Sequence, residues 1–112
     1  MLKLPTEVRV YLALEPCDMR RQIDGLAASV RSAMARDPES GDLYLFTNRR
    51  GDMLKALFCD RHGYCMLVKR LSKGRFRVRV SEQFTGHVEM DANEVALLLA
   101  ELSFVRERAN AA

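Results

Sequence analysis

After Gly74 the chain alternates strictly: Arg75, Arg77 and Arg79 interleave with Phe76, Val78 and Val80. Side chains along a strand point to opposite faces in turn. This period predicts a strand over residues 75–80 that buries Phe76, Val78 and Val80 and lines up three guanidinium groups on its other side. Their spacing is expected at about 6.6 Å, twice the rise per strand residue. A chain holding such a strand needs a second apolar layer to cover one face and a polyanion or solvent to meet the other.

The charge around this strand is uneven. Residues 49–79 hold ten Lys or Arg and two Asp, a local charge of +8, whereas the rest of the chain sums to −5. The formal net charge of +3 conceals this basic middle. Such a field attracts polyanions and speeds their encounter. Arg49, Arg50, Lys55, Lys69, Arg70, Lys73, Arg75, Arg77 and Arg79 are the candidate nucleic-acid contacts. The competing reading is a solvated sheet face whose cations only protect it from edge pairing.

At 112 residues the chain fits one domain. It has no apolar run long enough to span a membrane, and its first residues are broken by charges, unlike a secretory leader. A cytoplasmic protein is expected. Three cysteines without an export signal argue against a disulfide framework. Cys59, His62 and Cys65 do not match the usual zinc spacings; Asp60–Gly63 reads instead as a hairpin turn between two cysteine-bearing strands. No metal and no other cofactor are expected. Nor does the chain frame a nucleophile or a positioned acid–base pair, so no catalytic residue is assigned and no enzyme is expected.

Residues 8–14 read as a strand ended by Pro16. Asp18 is placed to cap a helix whose apolar face holds Met19, Ile23, Leu26, Ala27, Val30, Ala33 and Met34. Asp37-Pro38 stops it. Strands are expected at 42–47, 53–59, 64–71 and 75–80, with a weaker one at 83–90, joined by turns at 48–52, 60–63 and 72–74. Asp91 and Glu94 form a capping-box pair opening a helix with Val95, Leu98, Leu99 and Leu102 on its apolar face. Residues 105–112 read as a frayed tail. The fold class is therefore α+β, a single domain spanning 1–112: an N-terminal strand and helix, an antiparallel meander of four to five strands, and a C-terminal helix. Both helices are expected on one side of the sheet, leaving the arginine-bearing side open.

Three segments in order carry a family resemblance. They are Cys17-Asp-Met-Arg-Arg-Gln-Ile-Asp-Gly-Leu-Ala-Ala-Ser-Val30, Leu45-Phe-Thr-Asn-Arg-Arg-Gly-Asp-Met-Leu-Lys55 and His62-Gly-Tyr-Cys-Met-Leu-Val-Lys-Arg-Leu-Ser-Lys-Gly-Arg-Phe76. Together they resemble the TnpB accessory proteins of the IS-66 class of bacterial insertion sequences. The resemblance implies a non-catalytic helper in transposition, acting beside a separate, larger transposase and other proteins of the same element. Two modes of action fit. In one, the basic strand face contacts DNA, as duplex and with weak sequence preference. In the other, the chain is an assembly module that recruits the transposase or another accessory protein without touching DNA. Arg20, in the Asp-Met-Arg signature, sits where a cation opposes the helix dipole; it is a candidate partner contact, with an internal ion pair as the alternative.

Overall fold

The computed structural model describes residues 8–81 and 83–100, and the backbone of 104–106. Chain order is β1 (Val10–Ala13), α1 (Ile23–Ala33), β2 (Leu43–Thr47), β3 (Met53–Asp60), β4 (Gly63–Arg70), β5 (Val78–Val80), β6 (His87–Met90), α2 (Ala92–Leu99) and β7 (Phe104–Arg106). Five strands form one sheet in the order β4-β3-β2-β1-β6, and β5 pairs with β7 apart from it.

The antiparallel meander holds for β2, β3 and β4. It does not extend to β1. That strand runs parallel to β2, with Val10 opposite Leu43, because α1 carries the chain back across the sheet between them. Its other side takes β6, antiparallel, with Val10 opposite Met90. The physical reason lies in β1 itself: Tyr11 and Leu12 are successive, point to opposite faces, and are both fully buried. Such a strand needs cover on both sides, as interior strands do.

Both faces of the sheet are in fact covered, which corrects the expectation of one open side. Leu26, Ala27 and Val30 of α1, with Met34 at its C-cap, pack on Tyr11, Tyr44, Phe46 and Leu57. The opposite face, built on Leu12, Leu45, Leu54, Phe58 and Val88, is covered by Leu98 of α2 and by Leu71 and Phe76 from the chain leading into β5. The arginine-bearing segment is thus a covering layer over the sheet, with its guanidinium groups turned outward.

Helix α1 starts later than Asp18 implies. Its N-cap is Gln22, which makes no side-chain capping bond, and the first helical bond runs from Leu26 N to Gln22 O. The backbone carbonyls ahead of it are already engaged: the Lys55 ammonium donates to Met19 O at 2.8 Å and to Arg21 O at 2.7 Å. Residues 18–21 are held as a turn instead, with Arg21 N donating to Asp18 O. Helix α2 follows expectation: Glu94 N donates to the Asp91 carboxylate at 2.8 Å and Asp91 N to the Glu94 carboxylate at 3.0 Å. Leu102, expected on its apolar face, lies outside the described residues.

Three boundaries differ from expectation. The regular strand pairing of β5 begins at Val78, not at residue 75. The last sheet strand begins at His87, after a turn in which Phe84 N donates to Ser81 O. Residues 105 and 106 are not a frayed tail: Phe104–Arg106 runs parallel to β5, with Val78 opposite Phe104 and Val80 opposite Arg106. Residues 107–112 of the expected tail lie outside the described residues.

Candidate nucleic-acid interface

The β2–β3 turn organises the site. Asn48 carries it: its backbone N donates to Met53 O, its side-chain carbonyl accepts from Met53 N, and its amide donates to the Asp52 carboxylate at 2.6 Å. Gly51 N closes the turn onto Asn48 O. Gly51 adopts φ +74, a left-handed conformation that glycine takes without strain. It also receives a neighbour at close range. Phe76 N donates to Gly51 O at 2.7 Å, and a Cβ on Gly51 would stand 3.1 Å from Phe76 O. Leu71 N donates to Asp52 O nearby. These bonds fasten the 71–77 segment across the end of the sheet where β2 turns into β3.

The Phe76 ring anchors the same segment from below, at 5% exposure. With Phe76 inward, Arg75 and Arg77 point out, and Arg79 repeats the pattern beside half-buried Val78 and Val80. The faces expected from the alternation are the faces observed. Arg49 and Arg50, from the turn, and Arg75, Arg77 and Arg79 line one open cleft of about 520 Å³, with Leu14, Pro16, Phe76 and Val78 also in its wall.

Within this cleft Arg50 is engaged, its guanidinium 2.9 Å from the Asp52 carboxylate. The Asn48 amide first, and Arg50 after it, hold the Asp52 carboxyl below its usual range. Arg49, Arg75, Arg77 and Arg79 are exposed and form no ion pair with any described residue. Four guanidinium groups without partners among the described residues, framing one cleft, can take anionic oxygens bidentately.

The remaining candidates divide. Arg70 and Lys73 are exposed at the same end of the sheet, where Arg70 stands opposite Met53. Lys69 is committed elsewhere, its ammonium donating to Leu99 O at the end of α2. Lys55 departs most from expectation. It is 3% exposed, lies on the face covered by α1, and has its ammonium bonded to the two carbonyls described above. It cannot reach a ligand on the surface, so it is withdrawn from the candidate contacts. Arg20 is outward and 92% exposed, but it is paired: Nε and Nη2 both donate to the Asp18 carboxylate, the shortest at 2.6 Å. These bonds hold the Asp18 carboxyl down at about 2.

Cys59 lies opposite Tyr64, and Cys65 opposite Phe58, on neighbouring positions of β3 and β4. Adjacent positions along a ladder face opposite ways, so the two thiols lie on different sides of the sheet. Asp60 accepts from His62 N and Gly63 N, making the hairpin turn that was expected. The residues that sequence reasoning missed are Asn48 and Gly51. The Asn-x-x-Gly-Asp spacing is itself a turn pattern, and it locates the hub that gathers the arginines.

Comparison with known proteins places this basic, sheet-capping architecture. The chain belongs to the IS66 Orf2-like family, whose model matches residues 8–109. It is therefore an accessory protein of an insertion sequence. It is 34% identical over 99 residues to uncharacterized protein y4jC of Sinorhizobium fredii, an alignment covering 88% of this chain and 83% of that protein. It is 38% identical over 76 residues to uncharacterized protein y4hO of the same organism, covering 68% and 66% of the two chains. No solved structure matches it significantly. None of the described helices is long and apolar enough to cross a membrane.

Proposed function

We propose that this chain serves transposition as a non-catalytic accessory protein whose arginine cleft binds the phosphate backbone of DNA. One observation carries the reading: Arg49, Arg75, Arg77 and Arg79 converge on one cleft and engage no described carboxylate. Internal ion pairing would leave such groups nothing to offer a ligand. Backbone contacts fix position on a duplex without reading sequence, and weak sequence preference is expected. Stacking on single-stranded bases is disfavoured, because Phe76, the aromatic ring among the cations, is buried. The transposase and other proteins of the same element are the expected protein partners.

Duplex DNA binding measured across salt concentrations tests this. Neutralising about five phosphates gives a slope of log K against log salt near −4 to −5. Absence of binding at low salt, or an affinity indifferent to salt, would refute the DNA reading. It would favour the assembly module, whose basic cleft meets an acidic protein surface.

A further inference from the structure

The outer strand β4 has features that an isolated edge strand avoids. Among the described residues no strand pairs with its outer side. Edges are normally protected at their centre by charge, proline or a bulge. Here the centre carries Leu67 and Val68, 57% and 51% exposed, the most exposed large apolar side chains among the described residues. Leu67 lies on the α2 side, where it borders an apolar groove of about 560 Å³ floored by Leu45, Leu54 and Phe58. Val68 lies on the α1 side, opposite Lys55.

The two ends of this strand differ in charge. Its C-terminal end carries Lys69 and Arg70, with Lys73 just beyond. Its N-terminal end, Gly63 to Met66, is uncharged, and carboxylates of Asp37, Glu39 and Asp60 border it. Burial, and after it the charges of Glu39 and Asp37, push the Cys59 thiol and the Tyr64 hydroxyl up; Asp60 adds to the first and Arg31 opposes the second. Arg61, within the turn itself, offsets Asp60.

An edge with an apolar centre, a basic end and an uncharged end bordered by carboxylates is complementary to itself when reversed. We infer that β4 pairs antiparallel with β4 of a second copy, about a two-fold axis through Leu67, joining the two sheets into one. Residues facing each other across such a pair must share a face. The axis at Leu67 sets Leu67 against Leu67, Val68 against Met66, Lys69 against Cys65 and Arg70 against Tyr64. No like charges meet, and each basic end lies along the other copy's uncharged, carboxylate-bordered end. A parallel pairing would set the two basic ends side by side, which repels. An isologous contact of this kind closes as a dimer.

The test is the mass of the full-length chain in solution, under reducing conditions because Cys17, Cys59 and Cys65 are free thiols. The expected result is a concentration-dependent rise from 12.8 kDa to twice that mass. Leu67→Lys puts two ammonium groups face to face and weakens the dimer by about tenfold or more. Leu97→Lys, an exposed apolar position on α2, leaves it unchanged. Mixing the Leu67→Lys and Leu67→Glu chains restores a dimer, since only the mixed pair sets opposite charges across the axis. A monomer at every concentration overturns the inference. So does a dimer indifferent to Leu67→Lys, or a Lys/Glu mixture that stays monomeric.

Discussion

Two stretches of this chain carry cations into turns, and they use them in opposite ways. In the approach to α1, Arg20 pairs with Asp18, Arg21 donates to Ser29, and Lys55 reaches across from β3 to hold Met19 O and Arg21 O. Every one of these positive groups has a partner within the protein. At the β2–β3 turn, by contrast, among the described residues only Arg50 is engaged with a carboxylate, and Arg49, Arg75, Arg77 and Arg79 stand free of described partners. The difference shows that a count of basic residues does not locate a binding surface. What matters is whether local backbone and acids already satisfy each charge.

The contrast can be broken at its supports. The largest effect is expected from Phe76→Ala. Removing the ring that seats the arginine segment costs about 3–5 kcal/mol as a core truncation and loosens the cleft as well; chemical denaturation measures the first and DNA affinity the second. A stable variant with full affinity would mean that the segment is held by its backbone bonds to Gly51 alone.

Lys55→Met comes next. The apolar stem is kept, but two part-buried carbonyls lose their donor, at about 1 kcal/mol each. A fall in melting temperature is expected, with the salt dependence of DNA binding unchanged. An altered slope would return Lys55 to the binding surface and undo the comparison.

Replacing Arg75, Arg77 and Arg79 together by Ala reverses that outcome. Surface substitutions change stability by about 0.5 kcal/mol or less each, so the melting temperature moves little while DNA affinity falls steeply.

The smallest effect concerns Asp18. Its carboxyl titrates at about 2, below the ordinary 3.8, because Arg20 hydrogen-bonds its charged form. A depressed folded-state value contributes stability that is present above the unfolded value and lost as pH falls through the folded one. Carboxyl NMR should show a midpoint near 2 in the native chain and a return toward 3.8 in Arg20→Ala. Since the pair is exposed, overall stability should scarcely change. An unchanged midpoint would break the pairing and leave Arg20 available to a partner.

Local signals were legible in the sequence because they depend on near neighbours. The alternation at 75–80 gave the correct faces for Phe76 and the three arginines, and the Asp91/Glu94 spacing gave the start of α2. What stayed hidden depends on residues far apart in the chain. Lys55 sits between Leu54 and Ala56, so alternation turns it away from the face they share. Nothing nearby in sequence says that α1 covers that other face, or that carbonyls 34 and 36 residues away wait there. The parallel pairing of β1 with β2 and the docking of β7 on β5 are hidden for the same reason. Charge clustering put nine residues into one candidate surface; the structure gathers five of them around the cleft, leaves Arg70 and Lys73 exposed at the same end of the sheet, and engages Lys69 and Lys55 internally.

The most direct test sets the two cationic regions against each other in one titration: log K for duplex DNA against log salt, for the native chain, the Arg75/Arg77/Arg79→Ala variant and Arg20→Ala. Each phosphate contact contributes about −0.9 to the slope, so the triple variant should lose close to three contacts' worth, about 2.7. Arg20→Ala should superimpose on the native line. Equal slopes for the native and triple-variant proteins, or a shallower slope for Arg20→Ala alone, would contradict the account.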